Sequence, residues 1–226
     1  MIVRLKARLK SILPSGLVSF VNDLRNISPE ARWTYLRLRA SRTLRVRKDT
    51  ASRLRARIGS ILVVCHGNII RSPMAAALLR RYLAEAHCTS ISVSSAGTGA
   101  KPGVGADARA GEVSQGFGVS LEGHQAQPLT ASLVEGNDLI LVMDYRNEAE
   151  VLCRYPEAAS KVFMLKALSG QIQSQSAEIP DPYSGTMADV RQCFETLRSC
   201  TQRLVLALSY LPSALMRGRN FRNETH

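Results

Sequence analysis

From Ser60 onward the chain alternates short apolar runs with helical stretches, and this rhythm limits the fold more than any other feature of the sequence. Ile61-Leu62-Val63-Val64 has no polar break, and residues 72–86 form a helical stretch with Pro73 in its first turn. Residues 91–94 read as a second strand, followed by a Gly-rich loop and a helix over about 107–116. A third strand covers 138–142, a helix 145–154, a fourth strand 161–165 and a long helix 187–210. Strands that take turns with helices in this way belong to a parallel sheet covered on both faces. The pattern predicts an α/β fold with a four-stranded parallel sheet and helices on both faces, and ligands at the carboxyl ends of the strands.

Before Ser60 the character changes. Leu5, Leu9, Ile12 and Leu13 share a helical face ahead of Pro14, and Leu17, Phe20, Val21 and Leu24 repeat the spacing. Ser28-Pro29-Glu30 is a helix start, and the stripe Trp33, Leu36, Ala40, Leu44, Ala51, Leu54 runs towards Gly59. Residues 1–57 hold 15 Lys+Arg against Asp23, Glu30 and Asp49, whereas the remaining residues hold 15 basic and 15 acidic side chains. The whole +12 excess therefore lies in this segment. It predicts a basic, α-helical N-terminal extension (1–57) in front of a neutral domain (58–226). A charge run of this kind is a solvated face before it is a binding surface. No stretch reaches the ~20 apolar residues of a membrane-spanning helix, and charges interrupt the N-terminus, so the expected location is cytoplasmic.

The five cysteines are odd in number and irregularly spaced, which argues for thiols over a disulfide framework. No His/Cys group has metal-site spacing, and no metal is expected.

The first strand runs directly into Cys65-His66-Gly67-Asn68-Ile69-Ile70-Arg71-Ser72-Pro73. A cysteine followed six positions later by arginine is weak evidence alone, but here it lies between a buried strand and a helix start. Backbone N–H groups of such a loop converge on an anion at the positive end of the helix. Gly67 permits a tight backbone, Arg71 offers a bidentate fork for phosphate oxygens, and Ser72 can bond the sulfur. The same field favours a thiolate, the nucleophilic form of Cys65. Ile179-Pro180-Asp181-Pro182-Tyr183 follows the fourth strand and so falls on the same side of the sheet. Asp181, in a proline-stiffened loop, is the candidate general acid.

On these residues, the stretch from 60 to about 212 resembles a low-molecular-weight protein tyrosine phosphatase. The family's loop Cys-x-Gly-Asn-x-Cys-Arg-Ser-Pro matches Cys65, Gly67, Asn68, Arg71, Ser72 and Pro73, and its Asp-Pro-aromatic motif matches Asp181, Pro182 and Tyr183. Ser95 and His124 match the serine and histidine that hold the loop asparagine, here Asn68. The resemblance implies hydrolysis of phosphotyrosine in proteins through a phosphocysteine intermediate, with no cofactor. It gives Cys65 as nucleophile, Arg71 as phosphate clamp, Asp181 as acid and then base, and His66, Gly67, Asn68, Ile69, Ile70, Ser72 and Tyr183 around the substrate. It also implies a phosphotyrosine protein as partner, among which bacterial tyrosine kinases are frequent. For the extension it implies nothing; self-association, packing on the domain or contact with an anionic surface are the readings its own residues support.

Three positions depart from the family. Ile70 replaces a second loop cysteine, so Cys65 lacks a disulfide partner within its loop. Gly99-Ala100-Lys101-Pro102 lacks the aromatic found there in many members, and Gln127 stands where arginine is common. Arsenate reductases share the fold but need two relay cysteines ahead of the acid loop, whereas Cys193 and Cys200 follow it and read as core. Protein-arginine phosphatases carry a polar threonine where this chain has Ile69. A non-enzymatic phosphate-binding adaptor, with a basic arm for nucleic acid or membrane, is the remaining alternative, and the intact Cys65, Arg71, Asp181 set argues against it.

Overall fold

The computed structural model describes residues 20, 23–44, 58–170 and 177–209. Its centre is a sheet of four strands, β1 (Ser60–Cys65), β2 (Ser92–Gly97), β3 (Leu139–Val142) and β4 (Val162–Met164), all parallel and ordered β2-β1-β3-β4. Among the described residues the α-helices are α1 (Arg32–Leu44), α2 (Arg71–Glu85), α3 (Ala108–Gly116), α4 (Ala131–Glu135), α5 (Tyr145–Arg154), α6 (Leu165–Leu168) and α7 (Met187–Ser209), and residues 23–26 are also helical. The four predicted strands and the parallel, helix-covered sheet are present. The short helices α4 and α6 were not foreseen, and the predicted helix over residues 5–13 lies outside the described residues.

Strand alternation sorts the core into two layers. Ile61, Val63 and Cys65 face α2 and α7, joined by Met74, Leu78, Phe194 and Leu197. Leu62 and Val64 face the opposite layer with Ile140, Val142, Ala149 and Val151. β1 lies between β2 and β3, so the chain leaves it on one side of the sheet and re-enters beyond it on the other. The crevice of such a sheet opens at the carboxyl end of its central strand, where Cys65 stands.

β2 runs to Gly97 rather than ending at Ser94, because Ser95, Ala96 and Gly97 pair with Val63, Val64 and Cys65. Small residues are required there: a Cβ on Gly97 would lie 2.4 Å from the His66 carbonyl oxygen.

The described part of the extension joins the second layer. Ile27, Ala31, Tyr35 and Leu38 are buried in one cluster with Val142, Tyr145 and Ala149. The stripe led by Trp33 is not the buried one: Trp33 is 81% exposed and Tyr35 0%. Two polar ties select this face. Ser28 does not cap the following turn with its side chain; its backbone N–H and hydroxyl both donate to Glu150, at 2.7 and 3.1 Å. The Tyr35 hydroxyl donates to Asp23 at 2.7 Å and accepts from Arg39 at 2.6 Å.

Truncating Tyr35 removes a fully buried ring from this layer, a loss of about 3 kcal/mol. Tyr35→Ala is expected to accelerate amide hydrogen exchange across residues 23–44 by about two orders of magnitude while β1 and β3 keep their protection. Unchanged exchange over 23–44 would show that the docking seen here does not hold the segment.

Candidate active site

Helix α2 starts at Arg71 with Ile70 at its N-cap and no side-chain cap, and its first residues are buried. Its leading N–H groups face the loop from Cys65, which gives this end of the sheet a net attraction for anions. Asn68 N–H donates to Cys65 Sγ at 3.2 Å, and Ser72 Oγ lies 3.0 Å from the same sulfur. Ser72 accepts from Asn68 Nδ2 at 2.8 Å, which leaves its single hydrogen for the sulfur, with the Ala96 carbonyl more distant at 3.4 Å. These two polar contacts fix the sulfur at the start of the loop.

The loop depends on Asn68, whose φ of 53° is left-handed. Its side chain is fully buried and satisfied: Nδ2 donates to Ser72 and, at 2.9 Å, to Ser95 Oγ, while Oδ1 accepts from Gln127 N–H at 3.0 Å. His124 Nε2 lies 2.7 Å from the Asn68 carbonyl oxygen, so this nitrogen carries the ring proton. Ser95 and His124 thus both sit against Asn68. Gln127 closes the network, since its Nε2 donates to the Ser95 carbonyl at 2.8 Å. That is a place for the glutamine at a position where the family often has arginine.

Arg71 is 2% exposed, and its guanidinium is held at three points. One nitrogen donates to Asp144 at 2.6 Å and to the Ile179 carbonyl at 3.1 Å, and the other donates to Asp181 at 2.6 Å. Burial opposes its charge, but Asp144 and then Asp181 outweigh burial and hold it protonated well above its ordinary value. Asp144 is also the N-cap of α5, accepting from Asn147 N–H at 2.7 Å through its other oxygen. His66 is held below the usual imidazole value, first by burial and then by Arg146.

A cleft of about 780 Å³ opens above the loop, lined by Cys65, His66, Gly67, Ile69, Ile70, Arg71, Asp181 and Tyr183. Asn68 and Ser72 lie buried behind it. Exposed Tyr183, Lys101 and Val104 also line the cleft, so Tyr183 is its one aromatic wall among the described residues. A Cβ on Gly99 would meet the His66 ring at 2.5 Å.

Sequence reasoning passed over Asp144, Arg146 and the pair Asp107–Arg109, and noted Gln127 without a role for it. Asp107 caps α3 and its N–H donates to the Ile69 carbonyl at 2.9 Å, while Arg109 donates to the Gly185 and Tyr183 carbonyls at 2.6 and 3.1 Å. This pair ties the loop after Cys65 to the loop after Asp181, and Arg109, through its side-chain bond, keeps the Asp107 carboxyl below its usual range. Asp23 and Asn26 of the extension also line the cleft. Cys193 and Cys200 are buried in the α7 core, and burial pushes the Cys193 thiol up to about 12. Among the described residues no group of His, Cys, Asp or Glu could hold a metal ion, and no helix is long and apolar enough to cross a membrane.

The profile of the low molecular weight phosphotyrosine protein phosphatases matches residues 60–213. A probable low molecular weight protein-tyrosine-phosphatase, EpsP of Ralstonia nicotianae, is 42% identical over 141 residues, 62% of this chain and 90% of the relative. The crystal structure of the Erwinia amylovora tyrosine phosphatase AmsI superposes with a TM-score of 0.60 at 35% identity, covering 66% of this chain and 93% of that one. The YwlE arginine phosphatase from Geobacillus stearothermophilus superposes with a TM-score of 0.59 at 31% identity, covering 66% and 92%. A profile match over residues 60–213, and relatives matched over most of their own length, place the chain in the low molecular weight phosphotyrosine protein phosphatase family.

Proposed function

We propose that this protein hydrolyses phosphotyrosine in proteins through a phosphocysteine intermediate, without a cofactor. The observation that carries the reading is the arrangement of Cys65, Arg71 and Asp181 around one cleft, with the guanidinium 2.6 Å from the acid. The Cys65 thiolate attacks phosphorus as the bond to the phenolic oxygen breaks, and the Asp181 proton passes to that oxygen. Water then attacks phosphorus and gives its proton to Asp181, and the bond to sulfur breaks to return the thiolate. Arg71 and the loop N–H groups carry the charge of the equatorial oxygens through both steps. A phosphate that takes over the Arg71 nitrogen now bound to Asp181 frees that carboxyl to act on the leaving oxygen.

Ile69 and Tyr183 favour a flat aryl ester over a guanidino phosphate, which sets this reading above an arginine phosphatase. The partner is then a phosphotyrosine protein, such as a bacterial tyrosine kinase, met in the cytoplasm, where a reducing milieu preserves the thiolate. Residues 1–57 act as an appended unit on a catalytic domain of 58–226. Exposed Trp33, Arg25, Arg32 and Arg37 offer that unit a surface for a second copy or an anionic surface.

Cys65→Ser is expected to abolish p-nitrophenyl phosphate hydrolysis with the fold intact by circular dichroism, and Asp181→Asn to lower kcat roughly a hundredfold. Full activity in Cys65→Ser would rule out the mechanism. Phosphotyrosine peptides should be turned over faster than matched phosphoarginine or phosphoserine peptides, with Tyr183→Ala raising KM mainly for the aryl substrate; a preference for phosphoarginine would reverse the assignment. With Ile70 beside it and Cys193 held as a buried, protonated thiol, oxidised Cys65 has no resolving partner at hand. Peroxide inactivation should therefore become irreversible to dithiothreitol as sulfinic acid accumulates, and Ile70→Cys should restore recovery. Mass spectrometry that finds a Cys65 disulfide together with full reactivation would overturn this.

A further inference from the structure

Arg146 is a cation of the cleft wall that the proposed chemistry does not use. It follows Asp144 by two residues, so the turn that sends Asp144 to Arg71 places Arg146 on the cleft beside His66. Its guanidinium forms no hydrogen bond or ion pair with any described residue, and its Nε is buried without a partner. Its neighbours behave differently: Arg71, Arg109 and Arg39 each reach a carboxylate. A half-buried guanidinium with an unmatched donor pays desolvation without return until an acceptor arrives.

The other charges at the mouth leave the acceptor to be an anion. Asp23, the acidic residue that the extension brings to the cleft, already accepts from the Tyr35 hydroxyl at 2.7 Å and from Arg39 at 3.4 Å. Asp181 and Asp144 are matched to Arg71. Lys101 and Arg146 remain as positive charge, and Asn26 of the extension adds neutral polar groups to the same wall. At about 780 Å³ the cleft has room for more than one aryl phosphate.

We propose that Arg146, walled by Asn26 of the N-terminal extension, forms a subsite that selects substrates carrying an anionic group, a carboxylate or a second phosphate, next to the phosphotyrosine. This rests on the phosphatase reading of the cleft and makes the extension part of its specificity.

The test is binding rather than turnover. Cys65→Ser is titrated with phosphotyrosine peptides that differ only at the neighbouring residue, which is Glu, Gln or phosphoserine. The Glu and phosphoserine peptides should bind about fivefold tighter than the Gln peptide, an advantage that shrinks in about 0.5 M salt. In Cys65→Ser/Arg146→Gln the three peptides should bind within about twofold of one another, and Cys65→Ser/Arg146→Lys should recover part of the preference. A gain for phosphoserine alone identifies a second phosphate as the anion, and a gain for both identifies a general anion site. Equal affinities in Cys65→Ser, or a preference undiminished by Arg146→Gln, would overturn the subsite. Failure of the wild-type protein to hydrolyse any aryl phosphate would instead remove the phosphatase reading, and the ratio of affinities would still decide this one.

Discussion

The site depends on one backbone turn. For the N–H groups after Cys65 to face inward, Asn68 must hold a φ of 53°, a conformation that costs a non-glycine residue about 1 kcal/mol or more. The surrounding structure supplies that cost through bonds to Ser72, Ser95, Gln127 and His124, drawn from α2, β2 and the loop between α3 and α4. A glycine could adopt the same φ without strain, yet it would offer none of the three side-chain bonds, to Ser72, Ser95 and Gln127, that tie the loop to its neighbours. The residue is retained for its amide, and the strain is accepted because the amide fixes the nucleophile's position.

The clamp follows a similar logic on the scale of charge. A guanidinium as buried as that of Arg71 is tolerable only with its counter-charges in place, and removing one partner of such a group is more damaging than never having had it. Asp144 and Asp181 divide the task. Asp144 is fixed by its role as the cap of α5 and keeps the arginine oriented, while Asp181, whose side chain is 37% exposed against 17% for Asp144, is the more open partner and, in the proposed mechanism, the one that substrate displaces. A permanent partner and an exchangeable one let a single arginine be both pre-positioned and available.

Much of this was legible in the sequence because the strongest signals are local. A run of four apolar residues, a proline in a helix's first turn and a cysteine six positions from an arginine mark β1, α2 and the loop between them. The acid loop was readable because Pro180 and Pro182 isolate Asp181. What escaped depends on distant partners. Residues 95–97 look like a loop because they are small, and Gly97 must be small because a Cβ there would lie 2.4 Å from the His66 carbonyl oxygen. Trp33 and Tyr35 fit helical stripes about equally well; contacts of Ser28 with Glu150 and of Tyr35 with Asp23 choose between them, and neither is visible in spacing. Asp144 reads as an ordinary helix cap until Arg71 is placed against it, and Gln127 had no interpretation until its two bonds beside Asn68 were seen.

The three charges at the clamp come from widely separated parts of the chain: Asp144 follows Arg71 by 73 positions in sequence, and Asp181 follows it by 110. Closing such long loops is paid in chain entropy before the ion pairs return anything, so these contacts belong among the late events of folding. The helices and the β1–β2 pairing can form from local and medium-range contacts, whereas the clamp exists only once β3, β4 and the start of α7 are in register. Local opening that separates Asp144 or Asp181 from α2 breaks the clamp without requiring any helix to unwind. For this chain, activity is a more sensitive gauge of the native state than its secondary structure.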